Sequence, residues 1–427
     1  MNFKATDYKL MNVADGRVFE DGGWTLADAQ SPSPSLVRAV YSQKKFTPRD
    51  DLDGLYRYAE WMPVKRTLPG SGAPVTYHSK ELGAYLGLDN LYITFSGYNP
   101  EIGATMKTCS FKETEACSVC ARIPADSRRI LVVQSAGNTA RAFAQVCSDN
   151  DIPVLICVPK DNFNDLWFNE PLKDCVKIIA SPAGSDYFDA IALGDKVCTS
   201  DRFFAEGGAK NVARRDGMGT TLLSAVECIG RIPDVYFQAV GSGTGAIAVW
   251  ENNLRLIEDG RFGSHKIKLF LSQNAPFTLM HDSWKAGSRA LCDITPEQSR
   301  RAAEVILAKV LSNRKPPYGL AGGVFDAMSD AGGDFFLASN DDIVRWILTF
   351  RNLEGYEIFP AAATAVTSLE KAVKTGAVGR QDVIMLNVTG GGWLHAQAKG
   401  FIVKEPDLVL DPALPAEEIV SKVEKLF

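Results

Sequence analysis

Short apolar runs alternate with helical segments through most of this 427-residue chain. The runs have the length of buried strands and lie at residues 130–134, 154–158, 176–180, 235–240 and 382–388. Neighbouring parallel strands need a long crossover between them, which a helix usually supplies, so this alternation predicts repeated βαβ units. We therefore expect an α/β fold in which helices cover both faces of an open, mostly parallel sheet.

The charge and the cysteine content exclude several classes of function. The net charge is −5 and the 46 basic residues form no long run, which argues against nucleic acid as a partner. No apolar stretch approaches the length of a membrane span, and the N-terminus has no apolar signal core. The nine cysteines are scattered, and Cys117 and Cys120 have no second pair at zinc-site spacing. We expect reduced thiols, a cytoplasmic location and no bound metal.

Lys112 occupies an unusual place for a lysine. Ser110 and Glu113 stand at capping-box spacing, and the apolar residues that follow recur with a helical period until Pro124. The pattern predicts a helix with Lys112 in its first turn, where the helix dipole disfavours an ammonium ion. The amine is thereby pushed towards the neutral form that a Schiff base requires. From these residues alone, a solvated surface lysine remains the alternative.

Three strand-to-loop junctions carry small polar residues, and ligands in open α/β sheets bind beyond the carboxyl ends of strands. At the first junction, Ser135, Asn138 and Thr139 stand where a helix begins, and such a place suits a carboxylate or a phosphate. A capped turn is the alternative there. At the last junction, Thr389 would aim a hydroxyl at a ring nitrogen, and a plain glycine-rich turn is the alternative.

The second junction is a glycine-rich loop after the strand at 235–240, and it leads into a helix. Its residues are Gly241, Ser242, Gly243, Thr244 and Gly245. Backbone amides in such a loop can surround a phosphate, although the Gly-Lys-Ser/Thr ending of a nucleotide P-loop is absent from the sequence. With Ala246 the loop matches Gly-x-Gly-x-x-Ala, but the next strand ends in Ser-Gln-Asn and offers no acid for a ribose. The sequence favours a single phosphate, and a nicotinamide-dependent oxidoreductase is the alternative.

The order of these motifs along the chain resembles that in the fold-type II pyridoxal-phosphate enzymes, the group of tryptophan synthase β and threonine synthase. The resemblance runs from Leu68 to Gly392 and implies an α/β fold with two open, mostly parallel sheets flanked by helices. It implies that pyridoxal 5'-phosphate is the cofactor and that Lys112 forms a Schiff base with it. The implied domains are an N-terminal arm with part of the large domain at 1–126, a small domain at 127–220 and the large cofactor-binding domain at 221–427. Residues 1–60 show only short apolar pieces and no clear helix or strand pattern, so we expect a partly irregular arm.

The resemblance also implies roles for the junction residues. Asn138 would face the phenolic oxygen of the cofactor, and Gly241–Gly245 would hold its phosphate. Thr389 would lie opposite the pyridine nitrogen. Ser135 and Thr139 would lie near the carboxylate of the substrate.

The sequence around Lys112 departs from that of threonine synthases. Those enzymes read Thr-Gly-Ser-Phe-Lys-Asp-Arg-Gly where this chain reads Thr-Cys-Ser-Phe-Lys-Glu-Thr-Glu at 108–115. The run at 103–112 is similar to that of archaeal cysteate synthases, which are related to threonine synthase. This similarity implies a β-replacement in which O-phospho-L-serine and sulfite give L-cysteate and phosphate, for coenzyme M synthesis in methanogens. Threonine synthase acting on O-phosphohomoserine, or another β-replacing enzyme, is the alternative.

A site that takes two dianions in turn needs basic side chains. Lys107, five residues before Lys112, and Arg141, one turn into the helix after the asparagine loop, are the candidates. A solvated surface charge is the alternative for both. The resemblance also implies a homo-oligomer, either a dimer or a trimer, that acts on small molecules.

Overall fold

Two open sheets form the centre of the molecule. The computed structural model describes residues 3–135, 137–185, 187–398 and 400–427. The larger sheet has the strand order 333–338, 268–274, 235–239, 384–388, 91–95 and 75–78. The smaller sheet has the strand order 203–205, 130–134, 154–159, 176–181 and 408–409. Every described pairing in these two sheets is parallel except the one between 75–78 and 91–95, so the predicted fold class is confirmed.

Helices connect the strands and cover the sheets. The α-helices lie at 80–86, 112–122, 138–149, 187–197, 212–229, 244–259, 279–285, 296–305, 324–331, 340–354, 360–374, 393–397 and 416–424. Short 3-10 segments lie at 54–61, 100–102, 160–165, 208–210 and 309–311. Two further pairs of two-residue strands join 98–99 to 104–105 and 167–168 to 402–403.

The N-terminal residues form a third, antiparallel sheet. Its strands are Tyr8–Asn12, Val18–Phe19 and Val37–Tyr41. Leu10 and Val37 are fully buried and belong to the core under the larger sheet. Turns and irregular segments separate these short strands, which agrees with the expected partly irregular arm, although the strands themselves were not predicted. Strands of two to five residues are too short for an alternating pattern to identify them.

Helix Val212–Ile229 lies buried between two other helices, and two glycines set how closely they approach. A side chain at Gly217 would collide with helix Lys112–Arg122, and one at Gly219 would collide with helix Thr244–Asp259. Without those side chains the three helices pack in close contact. The helix that begins at Lys112 and the helix that follows the glycine loop thus both pack against helix Val212–Ile229.

The C-terminal residues return to the smaller sheet. Strand Leu408–Val409 pairs with strand Val176–Ser181, and the last helix buries Ile419 and Val423 in the core of that sheet. The domain boundaries implied by the sequence stay a prediction. In the part of the chain that the structure describes, no helix combines the length and the apolarity needed to cross a bilayer.

Candidate active site

The helix that begins at Lys112 starts beside the carboxyl end of strand 384–388 of the larger sheet. The amide of Phe111 donates to the carbonyl of Thr389 at 3.0 Å, and the amide of Gly391 donates to the carbonyl of Cys109 at 3.0 Å. This backbone pairing brings the loop before Lys112 and the loop that contains Thr389 together. Lys112 is the first residue of its helix, so its predicted place in the first turn is confirmed.

The start of this helix is stabilised in a different way from the prediction. The Glu113 carboxylate accepts hydrogen bonds from the amide and the hydroxyl of Thr108, at 2.9 and 3.0 Å. The capping box between Ser110 and Glu113 is therefore wrong. The chain turns at Cys109, whose φ is +56°, so that Thr108 lies over the helix start. The buried Ser110 hydroxyl has no hydrogen-bond partner among the described residues.

The Lys112 side chain is partly exposed, and its amine lies close to a carboxylate. One-fifth (20%) of the side chain is exposed, and Nζ lies 3.4 Å from Oε2 of Glu115. Burial lowers the pKa of the Lys112 ammonium group from its usual value, Glu115 opposes this and Arg214 adds to it. A larger fraction of neutral amine follows, which suits a nucleophile or a general base.

Sequence reasoning missed a buried ion network behind Lys112. Glu115 is fully buried, and its Oε1 accepts a hydrogen bond from the Thr139 hydroxyl at 2.8 Å and lies 3.3 Å from Nη1 of Arg214. Arg214 also donates two hydrogen bonds to Glu206, at 2.8 and 2.6 Å. The i, i+3 spacing of Lys112 and Glu115 is the sequence signal for the first pair. No local pattern indicates the other two residues.

The asparagine loop at 135–139 lies at the carboxyl end of a strand of the smaller sheet, as predicted. The Ser135 hydroxyl accepts a hydrogen bond from the amide of Gly137 at 3.3 Å. Asn138 is the first residue of the helix that follows. Ala136 lies outside the described residues. The loop therefore presents a hydroxyl, a side-chain amide and a helix start at one place.

Arg141 is a buried cation beside this loop, 3% exposed. Its guanidinium donates to the carbonyl of Thr108 at 2.7 Å, to Oδ1 of Asn138 at 3.2 Å and to the carbonyl of Asp165 at 3.2 Å. It also lies 4.4 Å from the centre of the Trp167 ring. Its Nε has no partner, and it forms no salt bridge with a carboxylate in the described ranges. Burial lowers the pKa of Arg141, and a buried charge without a counter-ion is costly, so this position suits an anionic ligand.

The glycine-rich loop at 241–245 precedes a 16-residue helix, as predicted. The hydroxyls of Ser242 and Thr244 lie 2.8 Å apart. Gly243 has a φ of +76°, a conformation that favours glycine. The first amides of a helix lack intrahelical partners, so this loop suits a phosphate.

Packing contacts bring the predicted loops together. A side chain at Gly241 would lie 2.7 Å from the carbonyl oxygen of Val310, and one at Gly137 would lie 3.7 Å from the side chain of Val310. Val310 therefore lies between the glycine loop and the asparagine loop. Phe111 packs against Ala248, one turn into the helix after the glycine loop. The lysine, the asparagine loop, the glycine loop and Thr389 thus converge between the two sheets.

Lys107 does not join this group. Its ammonium group lies 2.8 Å from Oδ2 of Asp149, and its side chain is 48% exposed. The structure places it in a surface ion pair. Its role in substrate binding stays a prediction.

The assembled groups fit pyridoxal phosphate. Lys112 offers an amine for the aldehyde, and the glycine loop offers helix amides and two hydroxyls for the phosphate. The Ser110 hydroxyl, two residues before Lys112, is buried and has no hydrogen-bond partner in the described part of the chain, and such an unpaired polar group suits contact with a ligand.

Comparisons with known proteins agree with this fit. A family model described as "Pyridoxal-phosphate dependent enzyme" matches residues 71–390. The chain is 45% identical over 397 residues to "Cysteate synthase" of Methanocella paludicola, covering 91% of this chain and 92% of that protein. It is 42% identical over 421 residues to "Cysteate synthase" of Methanospirillum hungatei, covering 98% of each.

Solved structures show the same fold. Maize serine racemase matches with a TM-score of 0.57 and 15% identity, covering 76% of this chain and 91% of that one. The processed form of threonine deaminase isoform 2 from Solanum lycopersicum matches with a TM-score of 0.54 and 14% identity, covering 76% and 84%. The predicted fold-type II architecture and the predicted cofactor are confirmed. The chain belongs to the pyridoxal-phosphate dependent enzymes and, among them, to the cysteate synthase family.

Proposed function

We propose that this enzyme converts O-phospho-L-serine and sulfite into L-cysteate and inorganic phosphate. The name shared by its relatives supports the product. The observation that carries the choice of substrates is Arg141, a buried guanidinium whose described acceptors are all uncharged. The phosphate of phosphoserine and free sulfite are both anions that such a group can bind.

Four parts of the chain hold the cofactor in this proposal. Lys112 would hold its aldehyde carbon, the loop 241–245 its phosphate, Asn138 its phenolic oxygen, and Thr389 would lie near its ring nitrogen. When bound, pyridoxal phosphate supplies an electron sink that stabilises negative charge at Cα of an amino acid.

The side chains around Lys112 bind and orient the substrate. Ser135 lies near its carboxylate, and Thr139 contributes its backbone amide, because the Thr139 hydroxyl hydrogen goes to Glu115. The Lys112 amine takes the Cα proton as general base. Burial supports this step by lowering the pKa of Lys112.

Arg141 acts on the anions at the other end of the substrate. The Cβ–O bond breaks, and the phosphate leaves with the bonding electrons while the guanidinium stabilises its charge. Sulfite then occupies the same place, and its sulfur lone pair forms the Cβ–S bond. Lys112 returns the proton to Cα, so no oxidant or reductant is consumed.

The test is phosphate release by the purified holoenzyme from O-phospho-L-serine, with and without sulfite. We expect release that depends on sulfite, with L-cysteate identified by mass spectrometry in an amount equal to the phosphate. Lys112→Ala removes the proposed base and Schiff-base residue, so it should abolish release. Turnover of O-phosphohomoserine in place of phosphoserine would overturn the proposal and favour threonine synthase.

The setting of the reaction is part of the same proposal. We place the enzyme in the cytoplasm, as a homodimer or homotrimer, with cysteate serving coenzyme M synthesis. The methanogen sources of its relatives support this setting. Light scattering of the holoenzyme measures the oligomeric state, and a monomer would contradict that part.

A further inference from the structure

A carboxylate faces the Lys112 amine and is fixed from behind. Glu115 is 0% exposed, and its Oε2 lies 3.4 Å from Lys112 Nζ. Its other oxygen accepts a hydrogen bond from the Thr139 hydroxyl at 2.8 Å and lies 3.3 Å from Arg214 Nη1. Because the Thr139 hydroxyl and Arg214 both interact with Oε1, the other oxygen, Oε2, faces the Lys112 amine.

A second carboxylate holds Arg214 in place. Glu206 accepts two hydrogen bonds from its guanidinium, at 2.8 and 2.6 Å, and a third from the amide of Gly208 at 2.9 Å. Such a two-pronged pair fixes both distance and orientation. Arg214 is therefore committed to the two glutamates and holds Glu115 in a constant position next to Lys112.

The charges of this cluster balance only when Lys112 is protonated. Glu115 and Glu206 are the carboxylates that face it, and Arg214 is the other cation. Tyr187 is the remaining titratable group nearby, and burial raises its pKa, which keeps it neutral. When the Lys112 amine is neutral, the cluster carries one excess negative charge. The two carboxylates therefore favour uptake of a proton by Lys112 and oppose the burial that lowers its pKa.

We propose that Glu115 is a positioning residue for Lys112. It orients the amine and stabilises the ammonium ion that forms when Lys112 takes the Cα proton. The Cα–H bond breaks, the proton forms an N–H bond at Nζ, the electron pair stays on the substrate, and Glu115 remains a carboxylate. The inference rests on the proposed role of Lys112 as the base.

Glu115→Gln tests this inference because it removes the charge and keeps an acceptor for Thr139 and Arg214. The first measurement uses cofactor-free enzyme and follows the pH dependence of the rate at which Lys112 combines with pyridoxal phosphate. The second uses substrate-free holoenzyme and follows the pH midpoint of its visible absorption. We expect both midpoints to fall by about one pH unit or more, since an opposite charge at this distance shifts a pKa by roughly 1–3 units.

Glu113→Gln is the matched control. Glu113 is a buried glutamate on the same helix, but its hydrogen-bond donors belong to Thr108 and not to Lys112. Its midpoints should stay at the wild-type values. Glu115→Asp retains the charge at a greater distance from Lys112, so it should give a smaller shift in the same direction.

Unmoved midpoints in a Glu115→Gln protein that still binds the cofactor would overturn the inference. If that variant is insoluble, the midpoint of Glu115→Asp decides, and an unmoved value there has the same meaning. Borohydride reduction of the holoenzyme followed by peptide mapping tests the underlying proposal separately. If the reduced cofactor is found on a lysine other than Lys112, the proposed role of Lys112 is refuted, whatever the pH midpoints show.

Discussion

Two buried arginines lie beside the proposed site, and their surroundings differ in charge. Arg214 faces two carboxylates, those of Glu206 and Glu115. Arg141 donates to two carbonyls and an amide oxygen and lies over an aromatic ring. Arg214 is therefore a structural cation, and its counter-ions are side chains of the same protein. In the proposed function, Arg141 obtains its counter-ion from solution, as an anion of the substrate or of sulfite.

The largest expected effect is on stability, from Arg214→Gln. This change leaves two buried carboxylates without their cation, so we expect the free energy of unfolding to fall by about 4 kcal/mol. Urea unfolding of the holoenzyme measures it. Arg141→Gln is the matched control and should lower the same quantity less, because the loss of its hydrogen bonds is offset by the removal of a buried charge that has no counter-ion in the described structure. Equal losses in both variants would erase the distinction.

The next effect is on catalysis, from Arg141→Gln. Loss of a buried charge partner for the phosphate should lower kcat/KM for O-phospho-L-serine by about 100-fold, or roughly 3 kcal/mol. Arg141→Lys keeps the charge without the planar fork and should recover part of this loss. Steady-state phosphate release gives both values. Wild-type kinetics in Arg141→Gln would place the anion elsewhere.

A third effect concerns Glu113, a carboxyl group on the helix of Lys112 that accepts hydrogen bonds from Thr108, the residue whose carbonyl binds Arg141. Burial raises the pKa of Glu113 to about 7, from 4.5 when exposed, although Thr108 opposes the shift. Between these two pH values the folded protein holds a proton on Glu113 that the unfolded chain has released. Protonation of Glu113 therefore stabilises the fold fully below pH 4.5, and this stabilisation is lost as the pH rises through 7. The loss is about 3 kcal/mol.

The difference in unfolding free energy between wild type and Glu113→Gln isolates this contribution, because other groups cancel. It should change across pH 4.5 to 7 in the stated direction. A flat difference would mean that Glu113 is ionised throughout. Glu113 would then neutralise part of the Arg141 charge, which would weaken the contrast between the two arginines.

The smallest effect is expected from Lys107→Ala. Its half-exposed pair with Asp149 should contribute less than about 1 kcal/mol to stability. We expect the KM for O-phospho-L-serine to change by less than about twofold, because rim charges add little to binding. A sharp rise in KM would restore Lys107 to the substrate site and make Arg141 one of two anion-binding residues.

The fold and the loops of the site could be predicted because their signals are local. Apolar strand runs, the helix after Lys112 and the glycine loop all depend on residues close in sequence. The capping box failed because the left-handed turn at Cys109 brought Thr108 over the helix start, and spacing alone does not show such a turn. The Glu115–Arg214 contact was out of reach for a different reason: it joins two helices whose approach depends on tertiary packing.

The partners of Arg141 and Lys107 show the same limit. Both are basic residues near the Lys112 motif, and their sequence context does not separate a buried cation from a surface one. The structure separates them, since Arg141 lies under Trp167 while Lys107 reaches Asp149 at the surface. Burial is a property of the folded chain, so a charged residue cannot be ranked as a ligand from spacing alone.

The glycines of helix Val212–Ile229 have a consequence for how the enzyme tolerates change. One surface of that helix packs against the helix of Lys112, and another packs against the helix after the glycine loop. Helix packing therefore sets the separation between the Lys112 amine and the proposed phosphate site. Loops at the rim can therefore diverge among relatives while the reach of the lysine stays constant. Enlarging Gly217 or Gly219 would displace one end of the cofactor relative to the other, although neither residue belongs to a predicted binding loop.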